Sequence, residues 1–288
     1  MQVKTFFDPV TFTLTYLVWH SESKDAAIID SVLDFDSPSG KFTTSSVEKL
    51  IEFAHSLNLN IRILLETHAH ADHLSGSQWL KKHYSNTPIA IGRKITEVQS
   101  TFKRVFNLDL KTDGSQFDRL LEDEEILELG QLNIKALATP GHTPACMSYL
   151  IGDCVFTGDA IFMPDSGTGR CDFPAGSAEM LYQSIQKLYR LPDSTKVFVG
   201  HDYQPSGREL KFQTTIGEQK NSNIHIKADT KKEDFIAFRN QRDQTLTAPK
   251  LLLPSIQVNI NAGNLPKPED NGVCYLKLPI VPSYSGSN

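Results

Sequence analysis

The feature that most limits what this chain can fold into is the apolar run Ile61-Arg62-Ile63-Leu64-Leu65-Glu66, followed at once by Thr67-His68-Ala69-His70-Ala71-Asp72-His73. The run is β-branched and leucine-rich, as a buried strand should be. Three of the nine histidines and an aspartate then fall within six residues. Imidazole and carboxylate are the ligands that divalent zinc and iron prefer. Asp72 and His73 are expected to open a helix that reads on to Leu80, which makes the stretch a strand–loop–helix platform for a metal ion.

Other features narrow the class. A net charge of -5 lacks the basic bias of a nucleic-acid binder. No run of about eighteen apolar residues exists, so no membrane span is expected. The first nine residues resemble neither a signal peptide nor a transit peptide. Cys146, Cys154, Cys171 and Cys274 show no CxxC spacing and read as reduced thiols, which places the protein in the cytoplasm.

Taken in order, 11–19 alternates threonine with large apolar residues and predicts a strand with one face in a core. A second strand, 26–30, ends on Asp30, a strand-end residue that supports ligands more readily than it serves as one. Residues 34–40 are turn-rich. Ser45 and Glu48 form a capping-box pattern ahead of a helical stripe of Val47, Leu50, Ile51, Ala54 and Leu57, with His55 off the stripe on the surface. A short strand at 88–91, a helix at 94–106 and an exposed acidic stretch at 109–125 follow. Strands resume at 126–129 and 132–137, and Gly152-Asp153 turns a hairpin between 146–151 and 154–156. A helix begun by Ser177 and a strand at 196–200 complete this part. Beyond it, 204–225 reads as polar, 232–245 as helical, 251–254 and 263–266 as loop-ended apolar pieces, and the tail from Ser283 as disordered.

Three more polar residues each follow a predicted strand: His142 in Pro-Gly-His-Thr, Asp159 in Thr-Gly-Asp and His201 in Gly-His-Asp. Each has a glycine just before it, which permits a tight turn or close approach. Any one of them alone reads as a capping or turn residue. Together with the first cluster they predict strand-end loops converging on one metal site.

HxHxDH, PGHT, TGD and GHD in this order resemble the metallo-β-lactamase superfamily. Gly167-Thr168-Gly169-Arg170-Cys171-Asp172-Phe173 is similar to the GxGRxDF segment of the persulfide (sulfur) dioxygenases, and 207–211 with 215–220 to their bacterial branch. The resemblance implies an α/β fold, the αβ/βα sandwich of two mixed sheets flanked by helices. It divides the chain into a catalytic domain at 1–205 and an extension at 206–288 packed on it, which contributes pocket residues. It implies one Fe(II) per chain, with zinc as an occupant when zinc is more available, held by His68, His142 and Asp159. Two imidazoles and a carboxylate leave three open positions, the arrangement of non-haem iron oxygen chemistry. His70, Asp72, His73 and His201 would orient ligands and water. The implied substrates are glutathione persulfide and O2, the products sulfite and glutathione, and the implied assembly a homodimer. Arg170 would grip a glutathione carboxylate through its planar fork, with Tyr203, Arg208 and Lys211 in the same pocket and Tyr203 beside Arg170 in catalysis.

A thiolester hydrolase resembling glyoxalase II is the competing reading. There Asp159 would bridge two metals, with His68, His70 and His142 at one and Asp72, His73 and His201 at the other, and a bridging hydroxide would attack the thiolester. The sequence retains every ligand that scheme needs; what counts against it is the GxGRxDF segment and a C-terminal part that does not match the hydrolase family's helical substrate domain. A metal-stabilised sensor without catalysis would be expected to lack a ligand or the arginine, and all are present.

Overall fold

The computed structural model describes residues 1–280; the predicted tail from Ser283 lies outside the described residues. From the N-terminus, β1 (Gln2–Phe7), β2 (Leu14–Trp19) and β3 (Asp25–Ile29) form an antiparallel meander. A hairpin of β4 (Val32–Asp36) and β5 (Lys41–Thr43) leads into α1 (Ser45–Ser56), and then come β6 (Asn60–Leu65), β7 (Leu74–Ser75), α2 (Ser77–His83), β8 (Ile89–Gly92), α3 (Ile95–Phe106) and β9 (Arg119–Leu121). The second half runs β10 (Ile126–Leu129), β11 (Leu132–Ala138), β12 (Met147–Ile151), β13 (Cys154–Phe156), α4 (Ala178–Leu188) and β14 (Lys196–Phe198). It ends with β15 (Gln213–Thr215), α5 (Ile216–Ser222), α6 (Lys232–Asp243) and α7 (Leu252–Asn259).

Two six-stranded mixed sheets result, in the orders β1-β2-β3-β6-β8-β9 and β10-β11-β12-β13-β14-β15, with a small sheet β5-β4-β7 beside them. Side chains alternate across the first sheet. Ala27, Ile29 and Leu65 face the second sheet's Ile134, Tyr149 and Phe156, while Ala26, Ile28 and Leu64 face α1 and α3. Helix α4 packs Leu181, Ile185 and Leu188 into the core shared by the sheets. The αβ/βα sandwich is therefore present.

Several local expectations change. Strand β2 is buried on both faces, because the alternation in its sequence comes from buried threonine such as Thr15, whose hydroxyl donates to the Asp30 carbonyl (2.6 Å). Asp72 and His73 do not open a helix. They stay in an irregular loop, β7 intervenes, and α2 begins only at Ser77. Helix α1 is preceded by Thr44 rather than capped by Ser45, and the Thr44 hydroxyl donates to Glu48 Oε1 (2.5 Å). The turn-rich 34–40 segment is the tip of the β4–β5 hairpin, and the acidic 109–125 stretch carries β9 with Phe117 buried. Strand β1 was not anticipated, nor were β15 and α7. The last accommodates Pro254 in its first turn, where a missing N–H costs nothing. The four cysteines are free thiols.

Candidate metal centre

The loop after β6 and the loops after β11, β13 and β14 meet at one end of the two sheets. Hydrogen bonds cross between the halves there: Met147 N donates to Thr67 O (2.8 Å), the Tyr149 hydroxyl to Glu66 O (2.7 Å), and Leu14 N to Gly200 O (2.9 Å). Two glycines let the loops close. Gly158 has φ +49°, and a Cβ on it would stand 2.5 Å from Thr67 Oγ1; a Cβ on Gly200 would stand 2.8 Å from Asp159 Oδ1.

His68, His142 and Asp159 present one ligand atom each within 4.8 Å of one another, all buried. Asp159 Oδ2 lies 4.0 Å from His68 Nε2 and 3.7 Å from His142 Nε2. Two donors each about 2.1 Å from a common ion stand between about 3 and 4.2 Å apart, so the set fits a single cation. The neighbouring hydrogen bonds fix both imidazoles in the form a metal requires. The Thr67 hydroxyl donates to Asp30 Oδ2 (2.8 Å), so it accepts from His68 Nδ1 (3.0 Å). The Arg170 carbonyl has no proton to give and accepts from His142 Nδ1 (2.7 Å). Both Nε2 lone pairs are thereby aimed inward. Burial also pushes His68 and His70 well below the usual histidine range, which keeps them neutral.

A second triad, His70, Asp72 and His201, lies alongside, with His201 Nε2 3.5 Å from Asp72 Oδ2 and 3.4 Å from Asp159 Oδ1. His73 belongs to neither triad; its Nδ1 is 3.2 Å from Asp72 Oδ2 and 3.3 Å from the Thr13 hydroxyl. Burial opposes ionisation of Asp72, but His201 and His73 hold its carboxyl well below the usual range. His70 also faces Asp30 (3.0 Å) and Glu66 (3.5 Å), and burial together with the Asp30 charge pushes Glu66 up to about 7. His70 stands between the two sets, its ring 4.0 Å from that of His68 and 4.3 Å from that of His73. His68 Nε2, His70 Nδ1, His73 Nε2, Asp159 Oδ1 and His201 Nδ1 are buried without a hydrogen-bond partner. Leaving one such group unpaired costs about 1–3 kcal/mol. A cation at the first triad would take up the His68 Nε2 lone pair among them, and the donor set fits iron or zinc.

A cavity of about 990 Å³ opens onto the centre, bordered by Asp72, His142, Asp159, Arg170 and Tyr203. Tyr203 stacks on His201 at 5.5 Å and tilts against Phe12 at 5.7 Å. Arg170 reaches the cavity with its fork engaged: Nε and Nη2 donate to Asp172 (2.5 and 2.6 Å), and Nη1 to the Thr247 carbonyl (2.7 Å). Arg208 and Lys211 do not border the cavity, contrary to expectation. Arg208 is spent on Asp165 and Asp202, and Lys211 meets Asp202 through its backbone N–H. Their places are taken by Arg242 and Lys250, exposed at the mouth, with side chains in no hydrogen bond or ion pair among the described residues. No motif surrounds them, so sequence reasoning had nothing to find.

The C-terminal segment also braces the site. Asn259 of α7 donates to the carbonyls of His70 (2.8 Å) and His73 (2.7 Å) and accepts from Ser75 N (2.8 Å). In α6, the buried Arg239 pairs with Asp243 (2.7 Å) and donates to Thr168 O (3.2 Å), while Asp243 accepts from Cys171 N (2.8 Å). The segment around Arg170 is thus pinned on both sides. His225 Nδ1 accepts from Thr168 N (3.0 Å), and burial, aided by Arg239 and Arg242, pushes its pKa down to about 4. The unfolded chain therefore takes up a proton below about pH 6.5 that the folded chain refuses, so stability falls as pH drops from 6.5 to 4 and levels below. Because His225 is only partly buried, its share is about 1–3 kcal/mol. Thermal unfolding of His225→Gln is expected to lose that share of the decline between pH 6.5 and 4.5; an unchanged pH profile would contradict it.

A family model described as Metallo-beta-lactamase superfamily matches residues 8–201. The chain is 49% identical to a Burkholderia pseudomallei "probable metallo-hydrolase" over 97% of this chain and 99% of that protein. It is also 49% identical to "Glyoxylase B2" of Dictyostelium discoideum, over 97% of each. Human "Persulfide dioxygenase ETHE1, mitochondrial" is 32% identical over 70% of this chain and 68% of that one. The crystal structure of ETHE1 from Myxococcus xanthus superposes with a TM-score of 0.74 at 30% identity, covering 92% of this chain and all of that chain.

Proposed function

The chain belongs to the metallo-β-lactamase superfamily, and from that premise we propose that it is a persulfide dioxygenase with one Fe(II) at His68, His142 and Asp159. The observation that carries this reading is the pair of fixed imidazoles beside a single carboxylate, His68 through Thr67 and His142 through the Arg170 carbonyl. Two histidines and one carboxylate with open positions are the arrangement of non-haem iron oxygenases. The likeness to proteins named persulfide dioxygenase and ETHE1 supports it. Zinc at the same residues, and the hydrolase named by other relatives, form the second reading, favoured by Asp159 Oδ1 lying toward His201.

The balanced reaction joins glutathione persulfide, O2 and water to give glutathione, sulfite and two protons. His68, His142 and Asp159 would hold the ion, which would supply a site where O2 and the terminal sulfur meet, as ferrous centres of this type do. The chain's own groups do the rest. Phe12, Phe162 and Tyr203 form an aromatic wall of the cavity beside the centre. Arg242 and Lys250 stand where carboxylates of a tripeptide thiol can reach them at the mouth. Arg170, held by Asp172, keeps its carbonyl on His142 and borders the cavity. Tyr203 lies over His201 and defines how deep the thiol enters.

Neutralising Arg242 and Lys250 together (Arg242→Gln, Lys250→Gln) is expected to raise KM for the persulfide about tenfold and leave kcat nearly unchanged, the mark of uniform binding. Steady-state kinetics check it. The reaction class is tested by giving iron-loaded protein glutathione persulfide or a glutathione thiolester. Sulfite release that requires O2, with slow thiolester cleavage, is expected; rapid thiolester cleavage without sulfite would establish the hydrolase.

A further inference from the structure

We infer that His55 and His83 form a surface zinc site, separate from the metal centre. His55 stands in the last turn of α1 and His83 is the last residue of α2. Both are exposed, and their Nε2 atoms lie 3.4 Å apart. Zinc takes imidazole nitrogen at about 2.0–2.1 Å in tetrahedral geometry, which sets two such nitrogens about 3.3–3.4 Å apart. A square-planar ion would draw them to about 2.9 Å at the same bond length. The rings obey the same construction. Their centroids are 5.3 Å apart, against about 5.2 Å when two imidazole axes converge on a tetrahedral ion. Rings pointing straight at each other would stand about 5.7 Å apart at this nitrogen spacing. Without an ion the two rings share one long N–H···N hydrogen bond at 3.4 Å, which requires one Nε2 to keep its proton and which a bound ion would replace.

The electrostatics agree. Both helices end here, and the partial negative charge of a helix C-terminus favours a cation. The other cations of the last turn of α2 are engaged elsewhere: Lys81 pairs with Asp118 (2.6 Å), and Lys82 lies over the Trp79 ring at 4.0 Å. The Tyr84 ring packs edge-on against His83 at 4.7 Å and limits its rotation. Topology keeps the pair away from the catalytic loops. Helix α1 leads into the start of β6, whereas the ligand loop leaves from its end, and α2 runs from Ser77 near that loop back to His83. Six residues of β6 separate the two ends, about 20 Å. The two histidines occupy two positions of the ion and water fills the others.

Zinc titration of iron-loaded protein by calorimetry, with iron content followed by elemental analysis, tests the site. One zinc per chain should bind without loss of iron. His55→Ala and His83→Ala should each weaken that binding about tenfold or more, since one imidazole loses the benefit of the tethered second. The double variant should lose little beyond either single one. Zinc should also raise the Tm of the wild type and not of the variants. Both side chains are exposed, so neither change should impair folding. Absence of a zinc beyond the catalytic centre, or binding that survives either single substitution, would overturn the inference.

Discussion

Replacing His142 with alanine is expected to strip iron from the protein and lower persulfide-dependent O2 uptake about a thousandfold or more. A catalytic ion contributes several kcal/mol to the barrier, and each 1.36 kcal/mol is a factor of ten. His142 offers Nε2 3.7 Å from Asp159 Oδ2, and its other nitrogen is already committed to the Arg170 carbonyl. Without it only His68 and Asp159 of that triad remain. His73→Ala is the informative contrast. His73 lies outside both triads and touches Asp72 and Thr13. Its loss should cost about ten- to a hundredfold, as for groups that orient ligands. Iron analysis and O2-electrode rates on both variants check this. Equal, complete loss in both would place His73 among the ligands and favour the two-metal hydrolase.

The second large effect is on stability. Arg239→Met is expected to destabilise the fold by about 3–5 kcal/mol, because it leaves a buried carboxylate without its partner. Arg239 is 1% and Asp243 5% exposed, and the pair holds Thr168 O and Cys171 N on either side of Arg170. A loss of that size corresponds to a fall in Tm of roughly 6–20 °C for a chain this long. Since Arg170 carries the carbonyl that orients His142, iron affinity should fall about tenfold as well. Replacing both partners, Arg239→Met with Asp243→Leu, removes the stranded charge and should recover part of the stability. Calorimetry and iron titration read both effects. A Tm unchanged by Arg239→Met would contradict the bracing role of α6.

What the sequence made legible follows from how local each signal was. The β6 run and the HxHxDH motif lie in one stretch, and the Gly-His-Thr, Gly-Asp and Gly-His turns each end a strand with a clear apolar pattern. Strand-end position was enough to bring His68, His142 and Asp159 together. The helix expected from Asp72 was lost because the loop carbonyls of His70 and His73 are satisfied from a distant element, Asn259, rather than by a helical ladder. Helix α7 itself was hidden by Pro254, which reads as a breaker unless it falls in a first turn. Arg208 and Lys211 enter through the resemblance, yet Asp165 and Asp202 hold the Arg208 guanidinium and Asp202 takes the Lys211 backbone N–H. The cations that do reach the cavity mouth, Arg242 and Lys250, come from a polar helix and a loop whose placement depends on tertiary packing alone.

The most direct test of the central claim is O2 uptake by protein purified without air, with iron and zinc counted per chain. O2 consumption is expected on addition of glutathione persulfide, one O2 per sulfite formed, at a rate that rises with iron up to one iron per chain. Two zinc ions per chain, no O2 uptake and rapid cleavage of a glutathione thiolester would contradict it.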